Sequence, residues 1–192
     1  VYGNTRLDIT GGTIRGNVFG GGNMASVGRW TNVFSDPTDP TTLIDFAPVA
    51  NTGEATVNVG GKAIIGPMDG TGLNAYVFGG GQGIGNDPDL VNNRNKYCNV
   101  NSTNVTIELT YANPDDDNPE DGWSSTTDGR IYGSVYGGGS DCHVLGDTYV
   151  TINSGIIGSY DNVGNTITAW GGNIFGSGRN FLMVNYAAGR VA

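Results

Sequence analysis

Short stretches of strict alternation recur along the chain, each setting two aliphatic residues two positions apart: Leu7 with Ile9, Val57 with Val59, Val105 with Ile107, Val150 with Ile152. Alternation at period two marks a strand with one buried face. In three of the four cases a further isoleucine follows five residues later, at Ile14, Ile64 and Ile157. A second phrase then runs from an aliphatic residue and an aromatic into glycines: Val18-Phe19-Gly20-Gly21-Gly22, Val77-Phe78-Gly79-Gly80-Gly81, Val135-Tyr136-Gly137-Gly138-Gly139 and Ile174-Phe175-Gly176-Ser177-Gly178. Residues 12–19 also align without gaps on residues 129–136. Each unit therefore reads as three very short strands separated by corners at which glycine supplies a positive φ.

Strands this short bury one face and are not stable alone. Stacking equivalent strands from successive units solves both problems, because apolar residues then form internal columns and the backbone pairs with the layers above and below at about 4.8 Å. The fold expected is all-β: a β-solenoid, in right-handed parallel β-helix form, of about four irregular units at approximately 1–52, 53–101, 102–145 and 146–192 within one domain. Between aromatic anchors lie 59 residues from Phe19 to Phe78, 58 to Tyr136 and 39 to Phe175. These spacings exceed a coil of about 20 residues, so the units carry insertions. A jelly roll or sandwich competes, but it requires no near-identical glycine phrases.

Composition removes other classes. Glycine takes 34 of 192 positions, against about 7% on average, and each glycine within a helix costs about 1 kcal/mol relative to alanine, which excludes a helical bundle. Collagen needs glycine at every third position. A net charge of −9, with the cations scattered singly, argues against nucleic acid and anionic membrane surfaces as partners. No apolar run reaches the roughly 18 residues that would imply membrane insertion. The chain opens at Val1 rather than methionine, which reads as a mature or excised piece of a longer precursor.

Repeated phrases such as Ile14-Arg15-Gly16-Asn17-Val18-Phe19-Gly20-Gly21-Gly22, with the opening Val1-Tyr2-Gly3-Asn4-Thr5-Arg6-Leu7-Asp8-Ile9-Thr10-Gly11-Gly12, resemble the glycine-rich repeat regions of large bacterial cell-surface and secreted β-helix proteins, often labelled adhesin-like. The resemblance covers nearly everything outside the insertions. It implies an extracellular or cell-surface location and a scaffold, attachment or fibre role, with no catalytic residues to carry over. The irregular unit lengths and a long acidic insertion depart from a uniform coil.

Candidate chemistry lies mainly in the insertions. Asp115, Asp116, Asp117, Glu120 and Asp121 offer oxygen ligands for calcium, the one candidate cofactor, although they follow neither the EF-hand nor the RTX spacing. Trp30, Trp123 and Trp170 are candidates for stacking on sugar rings from projecting loops, set against packing back onto the body. Cys98 and Cys142, each shortly after a glycine cluster, are candidates for a disulfide. His143 is the single histidine, which leaves a zinc site or hydrolase triad without support. The strand phrases expose Asp8 and Glu108 but no repeated acidic pair of the kind a glycosidase needs.

The function expected is non-catalytic: a stiff spacer or fibre-forming segment displaying variable loops, with Phe19, Phe78, Tyr136 and Phe175 as structural repeat anchors. Its partners would be further copies end to end or a continuing chain, with host or microbial glycans as a second class. The competing reading is a carbohydrate-binding or carbohydrate-cleaving β-helix module.

Overall fold

In the computed structural model, residues 1–67, 75–83, 98–111, 128–158, 162–163, 166–167 and 172–179 are described. Apart from one turn of 3-10 helix at Pro40–Thr42, their regular structure is entirely β, as the alternation predicts. The first repeat supplies β1 (Thr5–Ile9), β2 (Thr13–Ile14) and β3 (Val18–Phe19), then an inserted hairpin of β4 (Trp30–Phe34) and β5 (Leu43–Pro48). The second supplies β6 (Glu54–Gly61), β7 (Ile64–Ile65), β8 (Val77–Phe78) and β9 (Asn99–Val100). The third gives β10 (Ser102–Leu109), β11 (Arg130–Ile131), β12 (Val135–Tyr136) and β13 (His143–Val144). The last gives β14 (Thr148–Ser154), β15 (Ile156–Ile157), the pair β16 (Asn162–Val163) and β17 (Thr166–Ile167), and β18 (Ile174–Phe175).

Three four-stranded sheets take one strand from each repeat: β1-β6-β10-β14, β2-β7-β11-β15 and β3-β8-β12-β18. Every pairing in them is parallel. An antiparallel sandwich or jelly roll is incompatible with that pattern. Among the described strands, only the inserted hairpin β4–β5 and the short pair β16–β17 run antiparallel.

Register turns the sequence repeat into columns. In the first sheet, Leu7, Val57, Val105 and Val150 lie opposite one another, as do Ile9, Val59, Ile107 and Ile152. Their side chains point inward and build one core with Ile65, Val77, Ile131 and Val135 of the other sheets. Arg6, Thr56 and Asn104, and then Asp8, Asn58 and Thr106, form the outward columns. Parallel sheets are usually apolar on both faces, because helices cover them. Here short corners replace helices, so the outer face of this sheet is polar.

One equivalence differs from the sequence reading. Ile14 pairs with Ile65, not with Ile64, and Ile131 and Ile157 complete that column. The cause is that β6 runs on to Gly61, which delays its corner by one residue relative to β1.

The glycine clusters also serve a purpose other than the one expected. Positive φ occurs at corner glycines such as Gly12, Gly53 and Gly61, but at no glycine of the Val-Phe-Gly-Gly-Gly phrases. Those glycines are required by close approach. A Cβ at Gly79 would collide with the carbonyl oxygen of Gly137 in the next layer and stand 2.9 Å from the Val105 Cγ2, and Gly20 meets Gly79 and Val57 in the same way. Among the described residues the column ends at Gly176, where a Cβ would meet none of them within 4 Å. Identical residues therefore experience opposite constraints according to whether a layer lies beyond them. Gly79→Ala should lower stability by about 1–3 kcal/mol or more, as overpacking does, while Gly176→Ala should stay within about 0.5 kcal/mol of the parent; chemical denaturation of both variants measures the contrast.

Candidate functional site

Beyond the core, the aromatic of each glycine phrase forms a stack on the third sheet. Phe19, Phe78, Tyr136 and Phe175 occupy one register position. Successive ring centroids lie 4.9, 4.8 and 4.9 Å apart, with interplanar angles of 5°, 13° and 12°. Parallel pairing imposes this spacing, which matches the separation of offset-stacked rings, and each contact is worth about 0.5–1.5 kcal/mol beyond the area it buries. Tyr76 packs edge-on against both Phe78 and Tyr136, and the Arg179 guanidinium lies 5.0 Å over the Tyr76 ring. Burial, aided by the neighbouring Tyr76, pushes the Tyr136 hydroxyl above its ordinary pKa against the opposing pull of Arg179 and Ser134. Phe78 is 1% exposed, whereas Phe175 on the last strand is 40% exposed.

A hydroxyl clasp closes three of the repeats on themselves. Thr5 Oγ1 donates to the Gly20 carbonyl at 2.8 Å, Thr103 Oγ1 to Gly137 at 2.6 Å and Thr148 Oγ1 to Gly176 at 2.5 Å. The fourth member of that column is Ala55, which has no hydroxyl. The signal was visible as a threonine two residues before Leu7, Val105 and Val150, but its partner was not.

Cys98 and Cys142 form a disulfide with a Cα–Cα separation of 5.4 Å, spanning 44 residues. Both cysteines are buried. The last glycine of each cluster makes the space: a Cβ at Gly81 would lie 2.7 Å from Cys98 Sγ, and one at Gly139 would lie 2.6 Å from Cys142 Cβ. The bridge thus joins the second and third repeats beside a small extra ladder in which β9 pairs with β13 and Val100 with Val27.

Other expected site residues are dispersed. Trp30 opens β4 opposite Pro48 in the inserted hairpin. His143 is half-buried in β13, paired with Asn99. Trp123, Trp170 and the acidic run Asp115, Asp116, Asp117, Glu120 and Asp121 lie outside the described residues. Among the described residues no cluster of histidine, cysteine, aspartate and glutamate has the makings of a metal centre.

One concave site does emerge, and sequence reasoning did not find it. Where the strands of the first sheet reach their carboxyl ends, a groove of about 900 Å³ crosses all four repeats. Asp8, Asn58, Thr106, Glu108 and Tyr111 line it, with Gly60 between them. Gly60 lies directly opposite Glu108 in the ladder. Asp8 is already engaged: Arg6 Nε donates to its carboxylate at 2.8 and 3.2 Å, and Asn58 Nδ2 donates at 2.6 Å. The hydrogen bond from Arg6, then that from Asn58, holds the Asp8 carboxyl below the usual carboxylate range. Asp8 and Glu108 stand two strands and two residues apart in register, about 12 Å between Cα atoms.

In the loop of the inserted hairpin, Asp36 Oδ1 accepts from the hydroxyl of Thr38 at 2.7 Å and from its amide at 2.9 Å, and Asp39 Oδ1 accepts likewise from Thr41. These bonds hold both carboxyls below their ordinary range, led by the Thr38 hydroxyl for Asp36 and the Thr41 amide for Asp39.

Compared with protein-family models, curated proteins and solved structures, the chain matches none of them.

Two outcomes are expected. Replacing both cysteines by alanine releases a loop whose closure stabilises the fold by about 4 kcal/mol on the chain-entropy account; a loss below about 1 kcal/mol in denaturant titration would refute that role. Asp8, Asp36 and Asp39 bind protons less readily folded than unfolded, so their stabilisation is complete above the unfolded pKa of about 4 and is lost as pH falls through their lower folded values. Melting temperature should accordingly drop on acidification below about pH 4, and Asp36→Asn with Asp39→Asn should flatten that profile.

Proposed function

We propose that the chain is a β-solenoid of right-handed parallel β-helix form whose work is structural: a stiff extracellular or cell-surface segment, non-catalytic and of adhesin type, that displays variable loops. The observation that carries this reading is the shared parallel order of three sheets, each receiving one strand from every repeat. A body built in this way grows by addition of layers at about 4.8 Å each without change of cross-section, which suits a spacer or fibre. The resemblance to glycine-rich surface repeats agrees with it. The Cys98–Cys142 disulfide supports an oxidising location, since such bridges persist outside the reducing cytosol.

Outer strands also support a role in continuous rods. β1, β2 and β3 on one side, and β14, β15 and β18 on the other, pair on one flank only among the described strands. Ile174 and Phe175 remain largely exposed on the last. Such edges accept either a continuing chain or a further copy.

A second copy of residues 53–101 inserted after position 101 tests the architecture. The lengthened protein should fold, with small-angle scattering showing growth along one axis at constant cross-section. Unfolding, or equal growth along all axes, would overturn the layered reading. Turnover of any polysaccharide in a reducing-sugar assay would overturn the non-catalytic one.

A further inference from the structure

We propose that the groove over Gly60 binds a linear, neutral saccharide chain. Its chemistry narrows the ligand by elimination. Among the described residues Asp8 and Glu108 line it and no cation does; Arg6 offsets only Asp8, so the groove stays net negative and disfavours anionic chains. A single metal ion fits poorly, because Arg6 and Asn58 already donate to the Asp8 carboxylate and Glu108 alone leaves most of the six to eight oxygen ligands of calcium unsupplied. The lining mixes polar and apolar surface and lies open to solvent, whereas a hydrophobic ligand prefers an enclosed apolar pocket.

What remains is a ladder of polar groups at strand spacing. Asn58 and Thr106 present donors and acceptors on adjacent strands, and the exposed Glu108 carboxylate beyond them accepts from vicinal hydroxyl pairs in bidentate fashion. Tyr111 lines the groove as well, and aromatic side chains are the residues against which the apolar side of a pyranose packs. Arg6 and Asn58 hold Asp8 in place, so that wall is organised before a ligand arrives and loses little freedom on binding. Four strands extend the groove over about 14 Å, longer than one sugar ring. Affinity should therefore rise with chain length and level off once the oligomer outspans the groove. The location of this site at the corner of the first sheet is independent of whether the chain assembles into rods.

The test is calorimetric and NMR titration of the full chain with neutral gluco-, manno- and galacto-oligosaccharides of increasing length, beside acidic uronate oligomers. At least one neutral series should bind with a dissociation constant in about the millimolar range or tighter. Asn58→Ala and Glu108→Ala should each weaken that binding about tenfold. Asn104→Ala, on the same sheet face but outside the groove, should leave it unchanged. Matching thermal melts across the variants keep a folding defect from imitating the result. Absence of binding by every neutral series, indifference to the groove substitutions, or preference for the uronates would each overturn the proposal, while leaving the layered architecture to its own test.

Discussion

In-register parallel pairing between equivalent strands is the constraint from which the rest of the molecule follows. Once Leu7, Val57, Val105 and Val150 stand opposite one another, each outward and inward position is repeated at the spacing of the backbone ladder. Every column must then tolerate its own residue as a neighbour. Valine and isoleucine do so inside, where branched side chains interlock. Aromatic rings do so outside, because the ladder spacing is also a stacking distance. Charged columns do not, and the outward faces accordingly mix Arg6 with Thr56 and Asn104, and Asp8 with Asn58 and Thr106.

The same constraint governs how the backbone packs away from the strands. Where one layer's carbonyl oxygen occupies the place of the next layer's Cβ, only glycine fits, and the Gly20–Gly79–Gly137 series is the result. The threonine clasps and the disulfide reinforce this crowded corner from opposite sides. Thr103 ties the start of a first-sheet strand to the exit of the third sheet within one repeat. The cysteines tie two repeats together. Short strands of two residues are thereby held by groups distant in sequence, which is how elements too small to persist alone become ordered.

Much of this was legible in the order of residues. The alternating pairs located β1, β6, β10 and β14, and the gapless match of residues 12–19 to 129–136 pairs the same residues that the sheets align. Ile64 was assigned one place out of register because a strand's length shifts its corner, and length depends on what the neighbouring layer can pair with. The clusters of glycine were visible, but their reason was not, since a missing Cβ looks the same whether φ or a neighbour demands it. Of the groove only Asp8 and Glu108 were legible, as exposed strand carboxylates: Asp8, Asn58, Gly60, Thr106, Glu108 and Tyr111 come from three repeats, and no short motif unites them.

Sequence alone determined the all-β character, the repeat and the identity of the inward and aromatic columns, because those depend on local alternation and on self-similarity between units. Tertiary structure decided the exact register, the distinction between crowded and free glycines, the partner of each threonine hydroxyl and the position of the groove. Each of these is set by the distance between layers, which is a property of residues roughly 50 positions apart in the chain meeting at the about 4.8 Å spacing of the ladder.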